Sequence, residues 1–267
     1  MAKLRVFVDF WNIAHMAWYP AVEAHNSNPD RYELVPIFKN NIELKLRTIS
    51  DVLLKSGMYE TEFVFVKDEN SVRKILLYPK YKETRGISDI PMADAITHIK
   101  QKDDGPFCCS PDNEADDAIC ALVMQSGGGV AVSTDKDLWQ LIGYTNAHVI
   151  NPYTKSFVRM QDLYKAFSYT SNKCLIGLED PRHIPLHKAL WGDMGDCVPN
   201  AVPRMQKHLF PILKECDGTL EDFSQRVRDS WGFMSSKCRE LYSENEEQIK
   251  INYDLVKLDP TCSIVWD

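Results

Sequence analysis

The chain has 267 residues, 44% hydrophobic and 26% charged, enough for one large domain or a core domain with a smaller appendage. Its formal net charge of −7 argues against gripping nucleic acid by bulk electrostatics, although clustered carboxylates neutralised by cations would account for that deficit. No apolar stretch approaches the roughly 20 residues that span a bilayer, and the opening run, broken by Arg5 and Asp9, is too short for a secretory signal; a cytoplasmic location without membrane contact is expected.

Residues 3–8 form a β-branched and aromatic run that ends at Asp9, residues 63–66 a second that ends near Asp68, and residues 129–133 a third that ends at Asp135. Between the first two, Ile37, Ile42, Leu44, Leu46, Ile49, Val52 and Leu53 recur close to helical spacing over residues 36–56, with Gly57 as the stop. A second helix is expected from about Glu114 through Ile119, Leu122 and Val123 to the glycine break at 127–129. Residues 144–160 read as a strand pair with a turn at Asn151-Pro152. After about residue 180 the texture changes to short helical segments at 186–191, 202–214, 220–228 and 238–253, which divides the chain into residues 1–180 and 181–267. Strands separated by helices imply an α/β fold with a mostly parallel sheet covered on both faces. In such sheets the ligand crevice lies at the carboxyl ends of the strands, which is where Asp9, Asp68 and Asp135 fall.

Nine carboxylates carry the chemistry: Asp9, Asp68, Glu114, Asp116, Asp117, Asp135, Asp137, Asp193 and Asp196. Like charges gathered from separate elements raise one another's pKa or bind metal. Hard oxygen ligands without accompanying His or Cys point to magnesium or manganese. Each group also has a plainer reading. Glu114, Asp116 and Asp117 suit a helix amino terminus, where the dipole favours acids; Asp135 or Asp137 suits an N-cap; Asp193 and Asp196, three apart, suit a surface cap. The eight cysteines contain no C-x-x-C pair, so reduced and mostly buried thiols are expected rather than a disulfide framework or zinc site. The seven histidines show no metal spacing and are read as structural or exposed. Arg73, Lys74, Tyr81, Lys82 and Arg85 interleave bases with aromatics, a pattern suited to phosphates and unstacked bases and equally to a solvated basic loop.

Taken in order, Val6-Phe7-Val8-Asp9, Asp68 with Arg73, Tyr81-Lys82 with Arg85, Glu114-Ala115-Asp116-Asp117, Ser133-Thr134-Asp135-Lys136-Asp137-Leu138 and Gly192-Asp193 with Asp196 resemble the flap endonuclease and 5′-nuclease superfamily. The phage branch, which includes the ribonuclease H of T-even bacteriophages, is the most similar. The resemblance implies a PIN-like α/β core followed by a helical H3TH-type duplex-binding region. It also implies a divalent-metal-dependent phosphodiester hydrolase: a 5′ to 3′ exonuclease with structure-specific flap endonuclease activity, holding two Mg²⁺ or Mn²⁺ ions.

By that resemblance Asp9, Asp68, Glu114, Asp116 and Asp135 surround the first metal, and Asp117, Asp137, Asp193 and Asp196 help to hold a second. Asp116 and Asp135 count among the catalytic residues with Lys82 and Arg85, which meet the scissile phosphate. Arg73, Lys74, Tyr81, Arg204 and Lys207 contact nucleic acid. The expected partners are DNA with 5′ ends or flaps, RNA–DNA hybrid and replication proteins, and the expected state is a monomer.

Two departures from the family pattern stand out. Asp196 is followed by Cys197 where an asparagine and glycines are usual, and Asn200, Ala201, Arg204 and Met205 occupy the turn. The segment between Arg85 and Glu114, where a helical arch belongs, is short and has only Lys100 and Lys102 as bases. The rival readings are a PIN-type ribonuclease on single-stranded RNA, and a catalytically silent nucleic-acid-binding replication protein that kept the fold.

Overall fold

A computed structural model describes residues 3–23, 31–69, 71–86, 88–144, 146–171 and 174–267. The chain divides into two compact units, the first comprising Met1–Ser71, Gly86–Val158 and Asp259–Asp267, the second Val72–Arg85 and Arg159–Leu258.

The first unit is built on a seven-stranded sheet in the order β6-β5-β4-β1-β2-β3-β9. Strands β1 (Leu4–Asp9), β2 (Thr61–Val66), β3 (Phe107–Cys109), β4 (Gly129–Val132) and β5 (Ala147–Asn151) are parallel. The edges are closed by the two-residue antiparallel strands β6 (Ser156–Phe157) and β9 (Val265–Trp266). Strand β1 lies at the centre, with Val8 opposite Phe65 of β2 on one side and Val132 of β4 on the other. Its Val6, Phe7 and Val8 are fully buried, the unbroken apolar run expected of a strand covered on both faces.

Among the described residues this unit has the α-helices α1 (Phe10–Glu23), α2 (Arg31–Lys55), α4 (Met92–Lys102) and α5 (Ala115–Gln125), while α3 (Val72–Leu77) belongs to the other. Helix α2 stops at Gly57, whose φ of +81° is left-handed. Helix α1 follows β1 without a loop and buries Phe10, Ile13, Ala14, Ala17, Trp18 and Ala21, the i, i+3, i+4, i+7 stripe of a core-facing helix. Phe10 meets Phe107 edge-on at 5.0 Å and Phe65 at 5.7 Å, which fixes the junction directly after Asp9. Helix α4 lies in the short, base-poor segment between Arg85 and Glu114. It buries Ala95 and Ile99 and ties its bases to the body of the unit, Lys102 to Glu43 at 3.0 Å and Lys100 to Asp267 at 3.1 Å. These two lysines are therefore paired with acids rather than raised on an arch.

The second unit contains α3, α6 (Met160–Ala166), the hairpin of β7 (Ser168–Ser171) and β8 (Cys174–Gly177), and helices α7 (Ile184–Trp191), α8 (Gln206–Glu215), α9 (Leu220–Asp229), α10 (Ser236–Glu244) and α11 (Glu246–Val256). The division at Val158/Arg159 precedes the change of texture near residue 180, because the hairpin packs with the later helices, Tyr169 lying 5.0 Å from Phe210 of α8. Buried Asn252 of α11 donates to the carbonyls of Ala189 and Pro199 and so clamps the end of α7 and the turn after it.

Two expected helices differ in extent. The segment 238–253 is two helices, separated at Asn245 where the backbone leaves helical geometry (φ −110°, ψ 7°). The helix expected from 202 begins at Gln206, since Arg204 sits at φ +66°. Among the described residues no helix is long and apolar enough to cross a membrane.

Candidate functional site

Three neighbouring parallel strands deliver acids to one edge of the first unit's sheet. Asp9 ends β1, Asp68 follows the end of β2, and Asp135 follows the end of β4. Parallel pairing of β1 with both neighbours makes these the same end, so their convergence follows from topology. Burial pushes the Asp9 carboxyl up to about 7, against the hydrogen bonds from the Asn12 N–H and the Ser133 hydroxyl, and the charges of Asp68 and Asp135 add to the rise.

Short polar links hold these acids in place. Asp9 accepts from the Asn12 N–H at 3.1 Å and from Ser133 Oγ at 2.8 Å. The same Ser133 Oγ accepts from the Asp135 N–H, and Asp135 Oδ1 in turn accepts from the Asp137 N–H at 2.9 Å. Asp135 thus makes a cap-like contact at the 3₁₀ turn Asp137–Gly143, alongside its place among the acids. Asn12 and Thr134 bind reciprocally, Nδ2 to Oγ1 at 2.6 Å and Thr134 N–H to Oδ1 at 3.0 Å, joining the ends of β1 and β4.

Helix α5 supplies the remaining acids. Asp68 Oδ1 accepts from the Ala115 N–H at 2.9 Å and so pins the start of the helix beside the end of β2. Glu114, the N-cap residue, is buried and accepts from Ser71 Oγ at 2.5 Å. Asp117 is fully buried and accepts from the Asp259 N–H at 2.8 Å, anchoring the returning segment. Oxygen atoms of Glu114, Asp116 and Asp117 lie within 4.8 Å of one another. This is a cluster of hard donors without His or Cys, which fits Mg²⁺ or Mn²⁺.

In the second unit the sequence-selected bases fall into two groups. Arg73 and Arg85 are exposed and Lys82 is half-buried, whereas Lys74 and Tyr81 are buried. Tyr81 is packed by Val198, Leu255 and Val256, and the ammonium groups of Lys82 and Lys74 lie 5.0 and 5.9 Å from its ring centre. It therefore does not offer the open stacking face that its place among the bases suggested. Lys82 itself sits at φ +55°, a left-handed conformation rare for a side chain with a Cβ.

Asp193 and Asp196 bracket the 3₁₀ turn Met194–Asp196. Asp193 caps it through the Gly195 N–H and pairs with Lys188 at 2.7 Å. Burial opposes ionisation of Asp193, but Lys188 outweighs it with help from the backbone N–H bonds, holding the carboxyl below the usual range. Asp196 pairs with Arg85 at 2.5 Å. Cys197 follows at φ +59° with its sulfur 3.2 Å from the Thr84 hydroxyl. Arg204 and Lys207 are exposed around the start of α8.

Asn12, Ser71, Ser133 and Thr134 hold acids or their strands and were not singled out from the sequence; only the Asp9–Asn12 spacing and the Ser-Thr before Asp135 signal them. The cysteines are all free, four of them buried. His98 binds Glu43 at 2.9 Å, His183 binds the Cys216 carbonyl at 2.9 Å, and His187 lies among Phe167, Trp191 and Phe210. His25 lies outside the described residues.

No protein-family model and no curated protein matches this sequence. Solved structures do match. The flap endonuclease of bacteriophage T5, solved as a pseudo-enzyme-product complex with DNA and metal ions, is similar at TM-score 0.64 and 19% identity over 96% of this chain and 89% of that one. The fold is that of the flap endonucleases. A mutant of the T5 5′-exonuclease matches at TM-score 0.55 and 16% identity over 97% of this chain and 89% of that one. The catalytic core of Rad2 with DNA substrate matches at 0.50 and 14%, over 98% and 81%. The flap-endonuclease fold accounts for the mostly parallel sheet flanked by helices, the PIN-like architecture expected from the ordered blocks.

Proposed function

We propose that the chain is a divalent-metal-dependent 5′ to 3′ exonuclease with structure-specific flap endonuclease activity, which hydrolyses phosphodiester bonds at 5′ ends, flaps or RNA primers during DNA replication or repair. The observation that carries this reading is the convergence of acids from three adjacent strand ends and one helix start in the first unit, on a fold shared with nucleases solved with DNA and metal ions. Six carboxylates gathered from three strand ends and one helix start are costly to assemble for structure alone, since one would suffice for each cap.

In this reading Asp9, Asp68, Glu114, Asp116 and Asp135 hold a first Mg²⁺ or Mn²⁺, and Asp117 and Asp137 are offered to a second; in the second unit Asp196 is a further candidate ligand, and Asp193, kept by Lys188, holds the turn that carries it. When bound, such ions supply an activated water and charge stabilisation at the attacking and leaving oxygens. The chain's own groups do the rest. Ser133 and Asn12 fix the orientation of Asp9, and Asp68 fixes the start of α5 so that Glu114, Asp116 and Asp117 keep their spacing. Lys82 and Arg85 bind the scissile phosphate and favour the charge that builds on it. Arg73, Arg204 and Lys207 are exposed cations for backbone phosphates, which position a duplex without reading its sequence.

The test is cleavage of a 5′-flap duplex and of single-stranded RNA, each with Mg²⁺ and with EDTA. Magnesium-dependent release of the flap with little cleavage of the RNA is the expected result. Preferential cleavage of single-stranded RNA makes the chain a PIN-type ribonuclease, and no cleavage of either makes it a binding protein that kept the fold.

A further inference from the structure

The two acids of the turn after α7 already have cations supplied by the chain, and the two pairs differ in character. Lys188 is 8% exposed and its ammonium lies 2.7 Å from Asp193. Separating that pair strands a buried charge, which is heavily penalised, so Asp193 keeps its lysine. Arg85 is 51% exposed while its partner Asp196 is 10% exposed, at 2.5 Å. Its guanidinium can leave for solvent or for another anion at little desolvation cost, and its planar fork suits a phosphate as well as a carboxylate.

The surroundings connect this pair to the rest of the basic segment. The Asp196 carbonyl accepts from the Lys82 N–H at 3.0 Å, and its Oδ2 faces the Tyr81 hydroxyl at 3.4 Å. Tyr81 is itself fixed in an apolar cluster with Val198, Leu255 and Val256. Residues 81 and 82 are therefore held to residue 196 by backbone and core contacts, whereas Arg85 reaches Asp196 through an exposed side chain.

We propose that Arg85 is the resting counter-ion of Asp196, and that a substrate phosphate, by taking Arg85, releases Asp196 to bind a divalent cation. The inference rests on the nuclease reading above and adds an order of events: the carboxylate becomes a ligand when substrate arrives. Asp193, kept by Lys188, acts as a positioning residue for the turn. Linkage makes the effect reciprocal, so a cation at Asp196 strengthens phosphate binding by the factor with which phosphate strengthens cation binding.

Calorimetric titration of Ca²⁺ into the full chain, alone and with a 5′-flap duplex, tests this without any turnover. Arg85→Gln should raise the affinity of the weaker Ca²⁺ class about tenfold, within the range usual for coupled sites. The duplex should raise that affinity in the wild type and leave it unchanged in Arg85→Gln, and adding Asp196→Asn should erase the gain. If Arg85→Gln fails to fold, Arg85→Lys, which keeps the charge and loses the fork, should show a smaller gain in the same direction. Unchanged Ca²⁺ affinity in both Arg85 variants, or a gain that survives Asp196→Asn, overturns the exchange while leaving the nuclease reading intact. A wild-type chain that binds no Ca²⁺ and cleaves nothing in Mg²⁺ overturns both.

Discussion

Replacing Asp9 by asparagine should make the metal-free protein more stable. Burial raises this carboxyl from 3.8 to about 7, so the folded state holds a proton that the unfolded chain has released. Stability must therefore fall as pH rises from about 4 to 7, and the full cost is present above that window. That rise corresponds to about 4 kcal/mol as an upper figure. Asp9 retains partial solvent contact, which reduces the expected gain to about 2 kcal/mol, or roughly 4–8 °C in melting temperature for a chain of this size. Asparagine keeps an acceptor for the Asn12 N–H and turns its amide to Ser133 Oγ, so the polar links survive. The assay is thermal unfolding in EDTA between pH 4 and pH 8. Asp9→Asn should melt higher at pH 8, the difference should close toward pH 4, and Mg²⁺ should stabilise the wild type more than the variant. Equal melting temperatures at pH 8, or a difference that does not shrink on acidification, would refute the reasoning.

Asp116→Asn and Asp135→Asn should each abolish Mg²⁺-dependent cleavage while leaving the far-ultraviolet circular dichroism unchanged; robust cleavage by Asp135→Asn would sink the metal assignment. Lys82→Ala should slow single-turnover cleavage by about 10²- to 10³-fold, with a much smaller loss of affinity in Ca²⁺; an affinity loss equal to the rate loss would make Lys82 an ordinary phosphate anchor. Gly192→Ala places a Cβ 2.6 Å from the Val198 carbonyl oxygen at φ +80°. It should cost at least about 1–3 kcal/mol in urea unfolding, and a neutral result would mean that the turn relaxes freely.

The sheet was legible because its central strands are apolar on both faces and end in acids, so periodicity, composition and topology point the same way. Helix α1 was equally legible in principle, since Phe10, Ile13, Ala14, Ala17, Trp18 and Ala21 follow helical spacing, but it begins directly after Asp9 with no loop to announce it. Strands β3 and β9, three and two residues long, carry no pattern that a periodicity could register. The acids could be read from the chain; their supports could not. Asn12 and Ser133 look like ordinary polar residues until β1 and β4 are known to be neighbours.

Two left-handed residues that are not glycine show a different limit. Cys197 and Arg204 occupy left-handed positions in the turn between α7 and α8, at φ +59° and +66°. A pattern search for glycine passes over them, because it looks for the residue that adopts this backbone most cheaply rather than for the backbone itself. The cost to a side chain of holding such a conformation is met here by local links. The Cys197 sulfur meets the Thr84 hydroxyl, the Asn200 carboxamide accepts from the Val202 N–H, and Asn252 holds the Pro199 carbonyl from α11. Arg204 also brings an exposed cation to the start of α8. On the proposed reading, in which Arg204 meets a backbone phosphate, Arg204→Ala should reduce the salt dependence of duplex binding, and an unchanged salt dependence would remove Arg204 from the interface.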